Sequence, residues 1–365
     1  MADALEGVLA GREPALLPLP GGDPRQSALL QTALRAGEEI DDDVALVVST
    51  SGTTGTPKGA MLTAAALIAS ASATHDRLGG PGTWLLALPA YHIAGLQVVI
   101  RSVLAGTTPV ELPLTGGFDT AALPAAVAAM GSGRRYTSLV AAQLAKALLD
   151  PAATEALAAL DAVLLGGGPA PQPVLEGAGA AGISVVRTYG SSETAGGCVY
   201  DGIPLTGVRV RLDQGRIVLG GATLAKGYRN VPQDDPFVEP GWFRTDDAGE
   251  FDETGALRVV GRIDEAISTG GLTILPQPVE AVLITHPAVA DCAVFGLPDD
   301  RLGQRVVAAV VVSGSAAPSL AELREHVARS LDATAAPREL HVVDELPRRG
   351  IGKLDRRALV ARFST

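Results

Sequence analysis

Aromatic residues and cysteines are scarce in this sequence. Phe, Trp and Tyr make up 4% of its 365 residues, although 47% of the residues are hydrophobic, so a core must be packed mostly with aliphatic side chains. The two cysteines, Cys198 and Cys292, lie far apart and lack metal-ligand spacing, which argues against a disulfide framework and against a cysteine-ligated metal. Cys292 falls within an apolar run and is expected to be a small core residue. A cytoplasmic, reduced protein is therefore expected.

Long apolar runs and net positive charge are also missing. The longest apolar stretch, Trp84–Leu104, is interrupted by proline, histidine, glutamine and arginine, so no membrane span is expected. The N-terminal segment MADALEGVLA lacks the basic start of a secretion signal. The formal net charge of −11 argues against nucleic acid as a general partner. Anionic ligands must then be held by local cations and backbone amides.

The pattern of apolar segments changes along the chain. Up to about residue 200, short apolar runs alternate with alanine-rich helical segments, which predicts a mostly parallel sheet covered on both faces. Short, glycine-punctuated strands then predict a small β subdomain. From Pro278 onward, helices and paired apolar strands predict a compact α+β module. The expected fold class is α/β.

The loop STSGTTGTPKG, residues 49–59, carries the most chemical information. It follows the apolar strand 44–48, and Thr63 is a good N-cap for a helix after it. Its glycines permit positive φ and its hydroxyls add donors, which together predict a phosphate-binding loop, although an exposed Ser/Gly-rich turn has the same composition. The spacing differs from the phosphate loop of nucleotide hydrolases. The candidate binding residues are Ser51, Gly52, Thr53, Thr54, Gly55, Thr56 and Lys58.

Three further segments carry chemistry near predicted strand ends. GGGPAP at 166–171 removes side chains from its edge, as either a ligand surface or a sharp turn would require. YGSSET at 189–194 places Glu193 at the carboxyl end of a strand, where open α/β sheets bind ligands. WFRTDDAGEFDETG at 242–255 holds a cluster of acids that, taken alone, fits a solvated turn.

These segments, followed by GRIDEAISTGG at 261–271 and PRRGIGKLDRR at 347–357, closely resemble the motifs of the adenylate-forming enzymes in number and order. That superfamily contains acyl-CoA synthetases, luciferases and peptide adenylation domains. The resemblance covers roughly residues 44–360. It implies activation of a carboxylic acid by ATP and Mg²⁺ as an acyl-adenylate, with coenzyme A as co-substrate. It also implies a large N-terminal domain, residues 1–263, made of αβ layers and the β subdomain, and a small mobile α+β C-terminal domain, residues 264–365.

The resemblance implies a role for each motif. Glu193 would face the Mg²⁺, and Lys353 would touch the carboxylate and the α-phosphate as the small domain swings about the hinge Asp264. Ser192, Asp246 and Ser268 depart from the usual Thr, Gly and Lys. The remaining nucleotide-binding residues would be Gly167, Gly168, Pro169, Tyr189, Gly190, Ser191, Ser192, Asp247 and Arg262, and the channel for CoA would be lined by Ser268, Gly270 and Gly271.

Within the superfamily, PAYHIAGL, SLVAAQL and STGGLTILPQPVE most resemble the short actinobacterial form of the branch that activates o-succinylbenzoate for menaquinone synthesis. Because that aromatic acid has a second carboxylate, Arg101 is the candidate cation for it, with Ser138 and Gly190 beside the substrate. A solvent-facing Arg101 is the alternative. His92 would border the acyl pocket as a catalytic residue, or be a structural histidine.

Three other functions stay open at this point: another aryl- or acyl-CoA ligase, a carrier-loading adenylation domain, and a non-catalytic nucleotide-binding protein. The joint presence of Lys58, Glu193, Asp247 and Lys353 favours a working enzyme. Only 48 residues precede the loop, fewer than in most relatives. Either an N-terminal subdomain is reduced, or its sheet is completed differently, for example by the second subunit of a homodimer.

Overall fold

The computed structural model describes residues 1–50, 57–114, 116–231, 234–349 and 352–364. The chain divides into two compact units. Unit 1 comprises Met1–Ala170, Val174–Arg211 and Val218–Thr245, and unit 2 comprises Pro171–Pro173, Leu212–Ile217 and Asp246–Thr365. This division falls earlier than the 263/264 boundary that the hinge motif predicts, and that boundary stays a prediction.

Helices and strands alternate through the first part of the chain, as the apolar pattern predicts. The helices are α1 Ala2–Leu9, α2 Pro24–Ala33, α3 Ala64–Arg77, α4 Ile93–Leu104, α5 Leu123–Ala129, α6 Ala141–Leu148, α7 Pro151–Ala158, α8 Gln172–Ala180, α9 Pro276–Leu283, α10 Leu320–Ala328 and α11 Arg356–Phe363. The strands are β1 Val44–Thr50, β2 Lys58–Thr63, β3 Thr83–Leu86, β4 Val110–Glu111, β5 Arg135–Val140, β6 Ala162–Gly166, β7 Val185–Ser191, β8 Gly196–Tyr200, β9 Ile203–Pro204, β10 Val208–Asp213, β11 Arg216–Gly221, β12 Gly227–Tyr228, β13 Trp242–Phe251, β14 Leu257–Arg262, β15 Ile267–Thr269, β16 Leu272–Ile274, β17 Val289–Asp299, β18 Gly303–Val312, β19 Glu339–Val342, β20 Arg348–Arg349 and β21 Lys353–Leu354.

The largest sheet of unit 1 has seven strands in the order β4-β3-β5-β6-β7-β8-β9. The first five are parallel neighbours, and β8 and β9 are antiparallel additions. Successive residues of β3 enter different cores, because side chains alternate across a strand. Trp84 and Leu86 pack with residues of α1, α3 and α4, whereas Leu85 packs with residues of α5 to α8. The mostly parallel sheet covered on both faces is therefore confirmed.

A second sheet of unit 1 holds both ends of the Ser/Thr/Gly loop, and here the structure differs from the prediction. β1 and β2 are antiparallel, with Thr50 opposite Lys58, and β12 pairs with the other edge of β2. The loop thus connects two strands, whereas the sequence predicts a helix directly after it. β2 was missed because its sequence, KGAMLT, shows no regular alternation of polar and apolar side chains.

The predicted helix begins one strand later than the loop. Thr63 is its N-cap, and its hydroxyl accepts a hydrogen bond from the backbone N–H of Ala66 at 3.1 Å. A threonine in this position satisfies one of the free N–H groups of the first turn. The cap that the sequence predicts at Thr63 is therefore confirmed.

Unit 2 contains the predicted α+β module. β17 and β18 form a long antiparallel hairpin, β19 adds in parallel, and β15 and β16 complete a five-stranded sheet. Val294 packs with residues of α9 and α10, and its neighbour Phe295 packs with Leu359 of α11.

A four-stranded sheet of order β10-β11-β13-β14 comes earlier in the chain, where the glycine-punctuated strands are predicted. Across the described ranges, no helix has the length and apolar character needed to cross a bilayer.

Candidate active site

The three-glycine segment and the tyrosine-led segment follow neighbouring strands of the parallel sheet. β6 ends at Gly166 and β7 continues through Tyr189, with Leu165 opposite Arg187. Because parallel strands end at the same edge, the structure brings Gly167, Gly168 and Tyr189 to one edge of unit 1.

The glycines at this edge have different structural causes. A Cβ on Gly166 would lie 2.5 Å from Thr188 Oγ1, and Gly167 has a φ of +83°. A Cβ on Gly190 would collide with the backbone of the antiparallel strand β8. Nothing lies within 4 Å of a Cβ on Gly168, so the fold alone does not require glycine there. The roles of Gly167, Gly168 and Pro169 beside adenine stay predictions.

Glu193 lies in a short 3₁₀ turn, Ser192–Thr194, that follows β7. Ser191 holds this turn, because its hydroxyl accepts a hydrogen bond from the N–H of Glu193 at 3.3 Å and its own N–H donates to Thr194 Oγ1 at 2.9 Å. The Glu193 carboxylate is buried and accepts a hydrogen bond from the Tyr228 hydroxyl at 2.6 Å. Lys58 Nζ lies 5.4 Å from the centre of the Tyr228 ring. One tyrosine thus contacts two of the predicted phosphate-side residues.

The carboxylate of Glu193 is suited to a Mg²⁺ ion that is also bound by a ligand. Tyr228 engages Oε1, and no donor within the described part of the chain is assigned to Oε2. Carboxylate oxygen is the ligand that this hard cation prefers. The described residues contain no cluster of three or more His, Cys, Asp or Glu that could hold a metal by itself. A magnesium ion at Glu193 would therefore need oxygens from the nucleotide.

Tyr228 is the functional candidate that sequence reasoning missed. The segment GYRN at 227–230 belongs to none of the segments that resemble the adenylate-forming enzymes, and Tyr228 lies 35 residues from Glu193. Its position follows from the pairing of Tyr228 with Ala60 at the edge of β2. That pairing depends on the tertiary fold, so no local signal in the sequence could have found it.

Two predicted acyl-pocket residues belong to the segment that forms α4. His92 is the N-cap residue, and its ring centre lies 4.4 Å from that of Tyr91. Burial lowers the pKa of His92, so its imidazole is neutral at pH 7. Arg101 is only 3% exposed, which excludes the solvent-facing alternative. Ser138 is buried in β5, and no hydrogen bond joins it to Arg101 within the described residues.

Arg101 has neutral neighbours. Its Nη2 donates to the Tyr200 hydroxyl at 3.3 Å, and its guanidinium lies 4.9 Å from the centre of the Trp84 ring. Its Nε has no hydrogen-bond partner among the residues described. Burial lowers the pKa of Arg101 but leaves the group positively charged at neutral pH.

Three other predicted residues form one cluster in unit 2. Asp247 in β13 lies opposite Arg262 in β14, and Arg262 Nη1 donates to Asp247 Oδ1 at 3.2 Å. Nε and Nη2 of Arg262 each donate to one carboxylate oxygen of Asp264 at 2.8 Å. Burial opposes the charge of Arg262, but the hydrogen bond to Asp264 and the charges of Asp247 and Asp246 outweigh it and raise the Arg262 pKa. The ribose and hinge roles of these residues stay predictions.

The remaining candidates of unit 2 lie in two hairpins. Gly270 and Gly271, with φ of +58° and +81°, form the two-residue turn between β15 and β16, so the turn itself requires them. Ser268 is exposed on β15, and the CoA channel stays a prediction. Lys353 is exposed on β21, which pairs with β20. The loop candidates Ser51, Gly52, Thr53, Thr54, Gly55 and Thr56 lie outside the described residues.

Comparison with known proteins extends these observations. Residues 18–229 match the family described as AMP-binding enzyme, and residues 278–353 match the AMP-binding enzyme C-terminal domain. The chain is 71% identical over 365 residues to the probable 2-succinylbenzoate–CoA ligase of Mycobacterium tuberculosis, with 99% of this chain and 94% of that protein covered. It is 35% identical to the 2-succinylbenzoate–CoA ligase of Geobacillus kaustophilus, with 91% and 72% covered.

Solved structures of related enzymes are also similar to this chain. The o-succinylbenzoate CoA synthetase of Bacillus subtilis in complex with the acyl-adenylate intermediate matches at 31% identity and a TM-score of 0.76, with 87% of this chain and 69% of that chain covered. The amide bond synthetase McbA of Marinactinospora thermotolerans matches at 27% identity and a TM-score of 0.79, with 89% and 71% covered.

Proposed function

The chain belongs to the AMP-binding enzyme family, and from that premise we propose that it is an AMP-forming acid–thiol ligase that joins o-succinylbenzoate to coenzyme A. ATP is consumed, and pyrophosphate and AMP are released. The observation that carries this proposal is the convergence of Lys58 and Glu193 on Tyr228, with Glu193 in the turn that follows β7. The identity of 71% with the mycobacterial relative supports the choice of acid.

The chemistry has two steps. In the first, a carboxylate oxygen of the acid attacks the α-phosphorus of ATP, the bond to the bridging oxygen breaks, and pyrophosphate leaves. In the second, the CoA thiol attacks the acyl carbon, loses its proton, and AMP leaves. Both reactants of the first step are anions, so its barrier contains strong charge repulsion.

The chain offers positive charge and donors against that repulsion. Mg²⁺, when bound, neutralises part of the phosphate charge, and Glu193 would hold it in place with its carboxylate set by Tyr228. Lys58 and the hydroxyl-rich loop would bind the phosphates, with Tyr189, Gly190, Ser191 and Ser192 beside the nucleotide. Asp247 and Arg262 would contact the ribose side. Gly167, Gly168 and Pro169 would border the adenine.

Lys353 would provide the cation for the reacting groups. One unit charge at about 4 Å with an effective dielectric constant near 20 is worth roughly 4 kcal/mol, or about a thousandfold in rate. In this proposal Lys353 belongs to a mobile domain, residues 264–365, that turns about Asp264, while residues 1–263 hold the substrates. Ser268, Gly270 and Gly271 would then line the path of CoA in the second step.

The acyl pocket would use three residues of unit 1. His92, neutral because burial lowers its pKa, would border the reacting acid without adding charge. Arg101 would pair with the second carboxylate, with Ser138 and Gly190 beside the substrate. The partners are therefore a small aromatic acid and CoA, with no role for nucleic acid because the net charge is −11. We also propose a cytoplasmic location and a homodimer.

A thioester-forming assay tests the proposal. The protein is given ATP, Mg²⁺ and CoA with o-succinylbenzoate, benzoate or a medium-chain fatty acid, and acyl-CoA and pyrophosphate are measured. We expect o-succinylbenzoate to give the highest kcat/KM. Higher turnover of another acid would mean that this acid is the substrate of the same ligase reaction. If no acid led to release of pyrophosphate, a non-catalytic nucleotide-binding protein would be favoured.

A second candidate is another acyl-CoA synthetase or an amide-forming relative, because structures with other names match at least as well as the B. subtilis synthetase does. All of them would share the adenylation step. Substituting an amine for CoA in the same assay distinguishes an amide-forming enzyme from an acyl-CoA synthetase.

A further inference from the structure

The hairpin that carries Lys353 is fixed on one side by an ion pair. Arg348 Nη2 donates to Asp291 Oδ2 at 2.6 Å, and Arg348 Nη1 donates to the carbonyl of Gly352 at 2.9 Å. The backbone N–H of Asp355 donates to the carbonyl of Pro347 at 2.8 Å. These contacts hold β20 and β21 together and attach them to β17.

On its other side, the hairpin is followed by a partly buried guanidinium, that of Arg356. Arg356 Nη1 donates to Glu265 Oε2 at 2.7 Å, and Nη2 donates to both oxygens of Glu280 at 2.7 and 2.6 Å. Its Nε donates to the carbonyl of Val294 at 3.1 Å. The side chains of Arg356, Glu265 and Glu280 are 14%, 19% and 14% exposed. All three nitrogens of the guanidinium are therefore used.

The network continues to the segment of the predicted hinge. Glu265 Oε2 also accepts a hydrogen bond from Gln277 Nε2 at 2.6 Å, and Gln277 Oε1 accepts one from the backbone N–H of Arg262 at 3.1 Å. Glu265 directly follows Asp264. A continuous path of hydrogen bonds thus joins Arg356, three residues after Lys353, to residues on both sides of Asp264.

We propose that Arg356, acting through Glu265, is a positioning residue that fixes the Lys353 hairpin relative to Glu265, the residue that directly follows the hinge Asp264. Lys353 would then already be oriented when it reaches the reacting groups, instead of being ordered on a free loop during each adenylation. Pre-orientation of this kind has a large kinetic effect, because a misplacement of about 1 Å can cost on the order of a hundredfold in rate. The inference rests on the proposed function, since only adenylation uses Lys353.

The test cuts the link to the hinge segment and leaves the rest of the network. Glu265→Met removes one carboxylate but keeps the bidentate pair of Arg356 with Glu280, so it perturbs the core less than a change at Arg356. We expect adenylation by the full-length protein to fall about 10- to 100-fold, with the thioester step from supplied acyl-adenylate changed less than about 3-fold. Hydrogen exchange of the amides at 352–356 should become faster in the ligand-free protein.

Glu339→Met is the matched control. Glu339 forms a comparable ion pair with Arg305 at 2.6 Å in the same unit, with side chains 31% and 30% exposed, but it contacts neither the hairpin nor Arg262–Glu265. It should leave both half-reactions in their wild-type ratio. Arg356→Lys keeps the positive charge but loses the planar guanidinium with its several N–H donors. Its rate of adenylation should lie between those of the wild type and Glu265→Met.

Two results would overturn the positioning role: equal loss of both half-reactions in Glu265→Met, or unchanged exchange at 352–356. Failure of the proposed function looks different. In that case the wild-type protein itself forms no acyl-adenylate, while the exchange measurement still reports whether Glu265 orders the hairpin.

Discussion

Two arginines, the buried Arg101 in unit 1 and the partly buried Arg356 in unit 2, differ in what surrounds their charge. Arg356 contacts two carboxylates, Glu265 and Glu280, and uses every nitrogen of its guanidinium. Arg101 is more deeply buried, at 3% exposed, but its described partners are the neutral Tyr200 and Trp84, and its Nε is unpaired there.

This difference indicates that Arg356 has a structural role, whereas Arg101 is suited to binding an anionic ligand. A buried charge is costly unless it is paired, and Arg356 already has its counter-ions within the fold. Arg101 keeps its positive charge uncompensated by any carboxylate of the described residues, together with unused donor capacity. An anion that reached it would find attraction in a low-dielectric site. The comparison therefore favours Arg101 as the partner of the second carboxylate of the acid.

The same reasoning predicts that uncompensated cations have the larger kinetic effects. Lys353 is exposed and has no ion pair with any described carboxylate, so in the proposed mechanism its charge is available to the reacting groups. Lys353→Ala should lower the rate of adenylation about a thousandfold, because one charge near the α-phosphate is worth roughly 4 kcal/mol. The thioester step, measured from supplied acyl-adenylate, should be largely retained.

Arg357→Ala is the control for Lys353→Ala, because it removes an exposed cation from the adjoining helix α11. It should leave adenylation within about 3-fold of wild type, as expected for surface charges screened by salt. Equal loss of both half-reactions in Lys353→Ala would contradict the role proposed for this residue.

A smaller but more selective effect is expected at Arg101. Arg101→Leu should lower kcat/KM for o-succinylbenzoate about 100-fold, because a buried charge pair is lost. Turnover of 4-oxo-4-phenylbutanoate, which keeps one carboxylate and lacks the other, should change less than about 3-fold. Steady-state kinetics with both acids measures the selectivity.

Stability provides the second readout for Arg101. Since the wild-type guanidinium is buried without a carboxylate partner among the described residues, leucine should leave the free energy of unfolding in urea equal or higher. Intact turnover of o-succinylbenzoate, or equal loss with both acids, would remove Arg101 from the pocket and with it the contrast between the two arginines.

A third effect tests the site that neither arginine touches. Tyr228→Phe removes the hydroxyl that holds Glu193 but keeps the ring beside Lys58. The Mg²⁺ concentration that gives half-maximal adenylation should rise about 10-fold, as is typical when a group that orients a metal ligand is removed. Tyr200→Phe removes the hydroxyl of another buried tyrosine of unit 1, the one that contacts Arg101, and should leave the Mg²⁺ dependence unchanged. A shift of equal size in both variants would count against the role of Tyr228.

The sequence predicted features that depend on local pattern. The α/β class and the α+β module follow from the spacing of apolar residues, and the cap at Thr63 follows from the chemistry of one side chain. β2 was missed because its residues do not alternate between polar and apolar side chains.

Long-range contacts could not be predicted in the same way. Glu265 and Glu280 lie 91 and 76 residues from Arg356, and Tyr228 reaches Glu193 only through the pairing of β12 with β2. The sequence marks Arg101 as an unusual charge in an apolar helix, but only the fold shows that its neighbours are neutral. The chemistry of a site is therefore partly local, whereas the contacts that tune it come from tertiary structure.

The smallest expected effect measures the charge of Arg101 directly, through His75. Burial and, second, the charge of Arg101 lower the pKa of His75 below its ordinary value of 6.5, against an opposing contribution from Asp76. Folding therefore disfavours protonation of His75, and stability falls as pH decreases from about 6.5 through the lowered pKa, because the unfolded chain binds the proton more readily. Arg101→Leu removes one cause of the shift, so the pKa of His75 should move upward and the loss of stability in acid should become smaller.

NMR titration of the histidine ring protons measures this change, and His92 is the internal control. Burial alone lowers the pKa of His92, so Arg101→Leu should leave that pKa where it is. An upward shift confined to His75 would mean that the charge of Arg101 acts on its neighbours undiminished, as an arginine without a counter-ion must. An unchanged pKa of His75 would mean that another group already neutralises the charge of Arg101. Arg101 would then have a structural role, as Arg356 has.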